Sequence, residues 1–323
     1  MRALVTGGNR YIGLHLLFEL ARRGHEVTVA NSHEAEMPEG CRRIHVDRTV
    51  PGALVEALGP HRDEFDVVFD NTAYDLHDVE PMIELFEGRI RHYVFTSSVA
   101  VYRRSFIQPV REDFRRHAPD DPDPRKAYGV GKVRGEDHLR RRFEATGFPA
   151  TSVRVTHTLG PRTPLVTREP IIFKRLEEGR PIFVPGDGFP FVHLVHVQDV
   201  AAMLASIAGA DAAVGEVYNC AGLEVSSVEG CIRLMAKVVG VEPEIVHVPL
   251  ELARRQRPPL LHWGEALVGG AVFSIDKALA DLDWRPAYGL EAGYRSSYEW
   301  FDTTGRALFT YDFTRDADLL TSL

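Results

Sequence analysis

The chain opens with the feature that most constrains its fold, a glycine-rich turn between two apolar runs. Residues 2–5 form the first run, the turn TGGNRYIG and a helical pattern follow, and residues 26–30 form the second run. This order of strand, turn, helix and strand opens a dinucleotide-binding sheet. Gly7 and Gly8 permit the tight turn, and Gly13 lets the helix start close to the strand, so that backbone N–H groups face a pyrophosphate. The opening therefore predicts an α/β nucleotide-binding fold.

Apolar runs and helical patterns keep alternating up to about residue 160. Strand-like runs fall at residues 66–70, 92–97 and 150–155, and helical patterns fall at 81–86 and 128–145. Such alternation predicts a parallel sheet covered by helices on both faces. A strand end with a helix at 196–208 and a strand at 216–220 are expected to rejoin this sheet.

The pattern loosens after residue 160, where residues 161–190 are rich in Pro, Gly and Arg. A helix near 227–239, a short strand at 244–248 and a helix near 276–282 are expected to build a smaller lobe. We therefore predict a doubly wound, Rossmann-type parallel sheet and a C-terminal α+β substrate lobe. The first comprises residues 1–160 with roughly 193–221, and the second comprises residues 161–192 and 222–323. Substrate is expected between them, beyond the carboxyl ends of the strands.

Charge and cysteine usage narrow the class of protein. A net charge of −8 argues against a nucleic-acid-coating or membrane-surface role. Cys41, Cys220 and Cys231 have neither metal-ligand nor disulfide spacing, which predicts reduced thiols and no metal. No apolar run reaches the roughly 18 residues of a membrane span, and the first strand follows Met1 directly, without a signal peptide. We expect a cytoplasmic enzyme.

Tyr128 and Lys132, in the stretch AYGVGK, are the strongest candidates for chemistry. In a helix, the four-residue step places both side chains on one face. A nearby ammonium stabilises a phenolate and lowers the pKa of the tyrosine, which makes the pair a candidate proton-transfer device. The alternative is an exposed helix on which the two side chains merely cover apolar surface.

With these motifs in place, the chain resembles the extended short-chain dehydrogenase/reductase superfamily, also called NAD-dependent epimerase/dehydratases. The resemblance covers nearly the whole length. The matching segments, in order, are TGGNRYIG, HVDR, FTSSVAVY, AYGVGK, RVTHTLGPR, HLVHVQDVA and IDKALADLDWRP. The turn with its arginine and the tail YDFTRDADLL look most like the atypical branch, which includes the chloroplast stem-loop-binding proteins.

The resemblance implies a catalytic triad of Ser98, Tyr128 and Lys132. Tyr128 is then the general acid in carbonyl reduction or the base in alcohol oxidation, and Lys132 lowers its pKa and holds the nicotinamide ribose. Ser98 donates to the substrate oxygen. Similar sugar dehydratases carry an Asp-Glu pair after the catalytic hydroxyl, but here those positions are Val99 and Ala100. This argues against a sugar 4,6-dehydratase.

Cofactor choice depends on the end of the second strand, where an acid usually holds the ribose of NAD. Here Asn31, Ser32 and His33 leave no carboxylate to repel a 2′-phosphate, and Arg10 lies in the turn, so NADP is favoured over NAD. Asp47 matches a position that contacts adenine in the family, although it can equally cap a turn with Arg48. The expected cofactor residues are Gly7, Gly8, Asn9, Arg10, Tyr11, Ile12, Gly13, Asn31, Ser32, His33, Asp47, Arg48, Thr72, Ala73 and Lys132.

Substrate residues are carried over from the same resemblance. Relatives that bind nucleotide-diphosphate sugars have an arginine at the position of Val192, next to His193, so a substrate without a diphosphate is favoured. His157 aligns with a substrate-facing residue or is a buried loop histidine, and Arg162 contacts an anionic or polyhydroxyl ligand or is simply solvated. The expected substrate residues are Ser98, His157, Arg162, Val192 and His193.

Three functions remain open at this point. The first is an NADPH-dependent reductase of a ketone in a sugar-like or secondary-metabolite substrate. The second is a sugar or nucleotide-sugar epimerase that keeps NAD tightly bound and consumes no external reductant. The third is an RNA-binding or regulatory protein that retains the fold, against which the acidic balance and the intact triad argue. A homodimer is expected by analogy only.

Overall fold

The computed structural model describes residues 1–8, 10–34, 36–256, 260 and 270–323. Its strands are β1 Arg2–Thr6, β2 Glu26–Asn31, β3 Arg42–His45, β4 Val67–Asp70, β5 His92–Ser98, β6 Ala150–Val155, β7 His157–Leu159, β8 Ile182–Pro185, β9 Phe191–His196, β10 Val217–Cys220, β11 Val225–Ser227 and β12 Ile245–Val248. Its helices are α1 Tyr11–Arg22, α2 Ala53–Leu58, α3 Leu76–Phe86, α4 Ala127–Thr146, α5 Glu169–Glu177, α6 Val197–Ile207, α7 Val228–Val239, α8 Leu250–Arg255, α9 Asp276–Asp281, α10 Leu290–Thr303 and α11 Asp316–Thr321.

Seven strands form one parallel sheet in the order β10-β6-β5-β4-β1-β2-β3. Its strands are largely buried, except for the edge strand β3, because helices cover each side. The first six strands have the Rossmann order, and the chain reverses direction across the sheet at β1 and β4. The predicted doubly wound α/β fold is confirmed, and the switch point between β1 and β4 marks the crevice where a dinucleotide binds in such folds.

Two apolar layers hold the helices against this sheet. On one face, α1 and α6 pack together and bury Leu16, Leu17 and Leu20 of α1 completely. On the other face, α2, α3 and α4 share a cluster with Leu4 and Phe95 of the strands. At about 1.5 to 3 kcal/mol for each fully buried aliphatic or aromatic side chain, these layers supply most of the favourable free energy of folding.

A third cluster lies outside the large sheet. It joins α5, α7 and α10, with Phe173, Ile232 and Phe301 fully buried at its centre. Two small sheets border it, one of β11-β9-β7 and one of β12-β8. Within the described ranges, no helix is long and apolar enough to cross a membrane.

Two expected assignments are wrong in detail. The strand that ends at His196 does not rejoin the large sheet, because β9 pairs with β7 and β11, while α6, which follows it, packs on α1. The helix at 276–281 was expected in the smaller lobe, but Ala278 packs in the same cluster as β1 and β10. The strand at 217–220 does join the large sheet, beside β6.

Candidate active site

The turn between β1 and α1 forms a narrow backbone cradle at the switch point. Gly7 has φ +73°, and a Cβ there would lie 2.0 Å from Thr72 Cγ2. A Cβ on Gly13 would lie 2.0 Å from the carbonyl oxygen of Gly7, so the start of α1 touches the turn directly. Only glycine leaves space for a pyrophosphate to approach the N–H groups here, and the cradle therefore fits a dinucleotide. Asn9, expected in this turn, lies outside the described residues.

The residues of the turn differ in their exposure and in the part of the protein that they contact. Arg10 is exposed at the N-cap of α1, while Gly8 is buried and Ile12 packs on the sheet cluster. Tyr11 has φ +41° and is buried, and its hydroxyl donates to the carbonyl oxygen of Thr158 over 2.9 Å. Any contact of Tyr11 with a cofactor would therefore come from its backbone.

Polar groups lie at the end of β2, next to an arginine of β3 that sequence analysis missed. Asn31 is buried; its Oδ1 accepts from Arg43 Nε over 2.9 Å, and its Nδ2 has no partner among the described residues. Ser32 Oγ lies 2.7 Å from Nδ1 of the exposed His33. Arg43 comes from β3, whose pairing with β2 places it beside Asn31, and Glu34 lies 3.6 Å from its guanidinium.

The side chains of Asp47 and Arg48 form hydrogen bonds within the protein. Asp47 is exposed and accepts from the backbone N–H and the hydroxyl of Thr49, which caps the turn and lowers the pKa of its carboxyl group. Arg48 points inward to the buried carboxylate of Asp70 and to the hydroxyl of Thr72. An internal ion pair thus occupies the guanidinium of Arg48, so any contact with a cofactor would come from its backbone.

Thr72 and Ala73 are held in place by the same ion pair. Both backbone N–H groups donate to Asp70 Oδ1, over 3.2 and 3.0 Å. Burial alone would raise the pKa of Asp70, but the charge and hydrogen bonds of Arg48 outweigh it and lower the pKa to about 2. The charged pair thus fixes the loop after β4, which faces Gly7 across the crevice.

Lys132 lies on α4 directly behind this loop. It is 2 % exposed, and its ammonium donates to the carbonyl oxygens of Ala73 over 2.5 Å and Thr96 over 2.7 Å. Burial lowers the pKa of Lys132 to about 8, because the charged form loses solvation. Gly129 allows this position, since a Cβ there would lie 2.1 Å from the carbonyl oxygen of Ala100 and push α4 away from β5.

Ser98 and Tyr128 meet at the end of β5. The side chain of Ser98 lies close enough to Tyr128 to lower its pKa, and Ser98 Oγ accepts from the backbone N–H of Ala100 over 3.2 Å. Tyr128 is half-exposed, and Lys132 Nζ lies 5.8 Å from the centre of its ring. The structure thus brings the three expected residues together at the carboxyl edge of the sheet.

The expected lowering of the pKa of Tyr128 by Lys132 is wrong. Partial burial raises the pKa of Tyr128, and the hydrogen bond from Ser98 and the charge of Arg168 lower it by less. The ammonium of Lys132 is held by the two carbonyl groups rather than by the phenol. Tyr128 therefore stays protonated at neutral pH.

Arg168 is a second cation that sequence analysis missed. It precedes α5, donates to the carbonyl oxygen of Thr158 over 2.6 Å, and lies 5.8 Å above the ring of Tyr11. Its Nε is buried and has no partner among the described residues. Glu169 beside it is also buried, and burial raises its pKa. Residues 161–190 have no motif spacing, so only the contacts of Arg168 with Thr158 of β7 and Tyr11 of α1 could have revealed it.

The expected substrate residues do not converge on the triad as a set. His157 is half-buried on β7, and Arg162, with φ +66°, forms an ion pair with Glu36 over 2.5 Å. Val192 is buried in β9 opposite Ser226 of β11. His193 was expected to face substrate, but both its ring nitrogens are engaged within the protein. Nε2 lies 2.8 Å from the carbonyl oxygen of Gly222, and Nδ1 accepts from the backbone N–H of Phe273 over 3.0 Å.

A parallel sheet of this order, with a glycine cradle at its switch point, is the framework of nicotinamide-dependent enzymes of the short-chain dehydrogenase/reductase class. The chain belongs to the NAD dependent epimerase/dehydratase family, whose model matches residues 3–221. It is an enzyme of this family, and the resemblance drawn from its motifs is confirmed.

Named relatives span several activities. The chain is 28 % identical to the chloroplast stem-loop binding protein of 41 kDa b of Arabidopsis thaliana, over 99 % of this chain and 84 % of the relative. It is 26 % identical to the UDP-N-acetyl-alpha-D-glucosaminuronate decarboxylase of Bacillus cytotoxicus, over 93 % and 97 %. It is also 26 % identical to the 2'-dehydrokanamycin reductase of Streptomyces kanamyceticus, over 79 % and 72 %.

Solved structures share the fold over nearly the whole chain. The UDP-glucuronic acid 4-epimerase of Bacillus cereus, determined in complex with UDP-glucuronic acid and NAD, superposes with a TM-score of 0.75 at 19 % identity. The alignment covers 96 % of this chain and 100 % of that one. At this identity the likeness establishes the architecture and leaves the substrate open.

Proposed function

We propose that this enzyme is an NADP(H)-dependent reductase of a ketone carbon in a sugar-like or secondary-metabolite substrate. The observation that carries the proposal is the meeting of Ser98, a protonated Tyr128 and the buried Lys132 at the same sheet edge as the glycine cradle. A phenol that keeps its proton at neutral pH is suited to donate it, which favours reduction over oxidation.

When bound in the glycine cradle, NADPH would supply the hydride for reduction of a carbonyl carbon. Tyr128 then gives its proton to the carbonyl oxygen, so that the C=O group becomes an alcohol, and Ser98 donates a hydrogen bond to that oxygen as negative charge develops on it. Lys132 keeps its charge below about pH 8, and its hydrogen bonds to the carbonyl oxygens of Ala73 and Thr96 hold the loop after β4 and the end of β5 in position beside Tyr128. Solvent restores the proton to Tyr128, whose side chain is half-exposed.

The preference for NADP rests on the charges at the end of β2. No carboxylate stands at Asn31, Ser32 or His33, and Arg43 places a guanidinium beside Asn31, although Glu34 lies 3.6 Å from this guanidinium. A guanidinium forms strong, bidentate contacts with a phosphate. The cradle of Gly7 and Gly13 would hold the pyrophosphate, and the loop of Thr72 and Ala73 would border the nicotinamide half.

The substrate class is inferred from the absence of an arginine at position 192 and from the presence of Arg168. Val192 occurs where nucleotide-diphosphate sugar enzymes have an arginine, and it is buried in a strand. The charge of Arg168 acts on Tyr128, and its Nε has no partner among the described residues, which supports a hydroxyl or carboxylate on the substrate. The named 2'-dehydrokanamycin reductase among the relatives is consistent with a carbonyl on an amino-sugar ring.

The experiment follows the oxidation of NADPH with a panel of keto-sugars and other ketones. Tyr128→Phe is expected to lower turnover by at least about a hundredfold, since a positioned general acid contributes that much or more, while the affinity for NADPH stays unchanged. Tyr74→Phe is the matched control, because its ring centre lies 6.1 Å from that of Tyr128 and only a hydroxyl is removed. Turnover by Tyr128→Phe at the wild-type rate would contradict the mechanism.

An epimerase with a retained cofactor is the second candidate. The structural neighbour that superposes over the whole chain was determined with NAD, which favours this function. An epimerase oxidises and re-reduces one carbon and consumes no external NADPH. Interconversion of two sugars without added nucleotide would therefore select the epimerase, whereas stoichiometric NADPH oxidation selects the reductase.

A further inference from the structure

A well-braced loop leaves β5 on the side of the sheet that faces β6. Its ends are tied together, since Tyr102 pairs with Arg116 and the backbone N–H of Arg103 donates to the carbonyl oxygen of Arg115 over 3.0 Å. Val110, near its middle, pairs with Phe273. The loop is thus held by backbone pairing at both ends and near its middle, and its side chains have defined positions.

The outer surface of this loop concentrates positive charge. Four exposed arginines share two properties: each lies within residues 103–115, and none has an ion pair or side-chain hydrogen bond in the described part of the chain. They are Arg103, Arg104, Arg111 and Arg115. By contrast, the next residue, Arg116, pairs with Glu136 and Asp137. In a chain of net charge −8, four guanidinium groups without carboxylate partners indicate a local site for an anion.

The carboxylates of the same loop do not neutralise this charge. Glu112 accepts from the backbone N–H of Asn219 over 2.9 Å, so its side chain points into the protein. Asp113 is exposed and forms no ion pair within the described residues. The positive charge therefore faces solvent without a partner from its own loop.

Three of the arginines surround one concave pocket. Arg103, Arg104 and Arg115 line a cavity of about 480 Å³ together with Ile107 and Phe114. Phe114 is half-buried and packs on the cluster of Val101, Tyr102 and Val133, which fixes the floor of the pocket. Ile107 is 74 % exposed and forms an apolar edge. Converging guanidinium groups above an apolar floor match a phosphate attached to an organic body.

We propose that this pocket, lined by Arg103, Arg104, Ile107, Phe114 and Arg115, binds the phosphate or diphosphate group of a small organic molecule. A small ligand fits better than a nucleic acid, because the arginines surround one cavity instead of following a stripe along the surface. The site is separate from the glycine cradle, since the loop follows β5 and lies on the β6 side, whereas the cradle lies between β1 and β4. It extends the proposed function without depending on it.

Isothermal titration of the whole protein with inorganic pyrophosphate tests the site. The triple variant Arg103→Gln, Arg104→Gln and Arg115→Gln is expected to weaken binding by at least about tenfold, since charge-assisted contacts to phosphate are lost. The control triple variant Arg22→Gln, Arg140→Gln and Arg233→Gln removes the same charge from exposed helical ion pairs and should change the affinity less than about twofold. Circular dichroism checks that each variant is folded, and Arg104→Gln alone serves if the triple variant is not.

Three outcomes would overturn the proposal. Wild-type protein without measurable pyrophosphate binding would remove the site. An affinity that is unchanged in both the triple variant and Arg104→Gln would place the anion elsewhere, for example in the glycine cradle. Binding of a ten-nucleotide RNA that depends on the same arginines, with no binding of pyrophosphate, would assign the loop to nucleic acid instead.

Discussion

Replacing Lys132 by methionine tests how strongly the protein perturbs its candidate catalytic lysine. The side chain is 2 % exposed, and its ammonium is held by the carbonyl oxygens of Ala73 and Thr96. Methionine has similar length and no charge, so the variant removes the titrating group while filling most of the same volume. The loss of the two hydrogen bonds lowers the free energy of unfolding by an amount that does not depend on pH. The buried charge of Lys132 makes a second contribution to this free energy, which changes with pH.

The size and sign of this second contribution follow from the pKa values. An ordinary lysine holds its proton up to about pH 10.5, but burial lowers the pKa of Lys132 to about 8. Between these values the unfolded chain binds more protons than the folded one, so stability rises with pH. The contribution is fully present above about pH 10.5 and is lost as the pH falls to about 8. At about 1.36 kcal/mol per pH unit, it amounts to about 3 kcal/mol.

Wild type and Lys132→Met are unfolded with urea at a series of pH values from about 7 to 10.5, and circular dichroism monitors the unfolding. The difference between their free energies of unfolding isolates the lysine, because ionisation of the tyrosines is common to both proteins. This difference should rise by about 3 kcal/mol in favour of the wild type across that interval. Lys237→Met, which removes an exposed lysine, is the matched control. A difference that stays flat would refute the account of a desolvated ammonium behind the crevice.

Four further variants test the residues that shape the cofactor crevice or are expected to contact the cofactor. Arg48→Met leaves the buried carboxylate of Asp70 without its partner and should lower the free energy of unfolding by about 3 to 5 kcal/mol in denaturant titrations; a change below about 1 kcal/mol would contradict the role of the pair. Gly13→Ala places a Cβ against the carbonyl oxygen of Gly7 and should weaken nucleotide binding at least about tenfold by calorimetry; an unchanged affinity would remove the cradle from the binding site. Arg43→Ala and Arg10→Ala should each raise the dissociation constant of NADPH much more than that of NADH, and equal effects on both nucleotides would defeat the NADP preference.

Six strands of the large sheet could be predicted because they are largely buried and appear as apolar runs, whereas the edge strand β3, with the sequence RRIH, is partly exposed and was not predicted. The glycine turn then fixed which strand comes first. The small sheet of β7, β9 and β11 could not be predicted in the same way, because β7 and β11 have three residues each and show no periodicity. Which sheet β9 joins depends on tertiary packing, and the prediction that it returns to the large sheet was wrong.

In the candidate site, contacts within one helix could be predicted from the sequence, but contacts between distant parts of the chain could not. Helical spacing correctly placed Tyr128 and Lys132 near each other, since both lie on α4. It could not show that Lys132 bonds to carbonyl groups 59 and 36 residues away, which is why its expected effect on the pKa of Tyr128 was wrong. Arg48 pairs with Asp70, 22 residues away, and that contact follows from the position of β4.

The central claim, an NADP(H)-dependent reductase with an exchanging cofactor, is tested most directly by denaturing freshly purified protein and identifying the nucleotide that it releases. Chromatography against standards distinguishes NAD, NADP and their reduced forms. The account predicts little bound nucleotide, or NADP alone, because a reductase exchanges its cofactor in every cycle. Near-stoichiometric NAD would contradict it and would establish a cofactor that is retained and recycled in place.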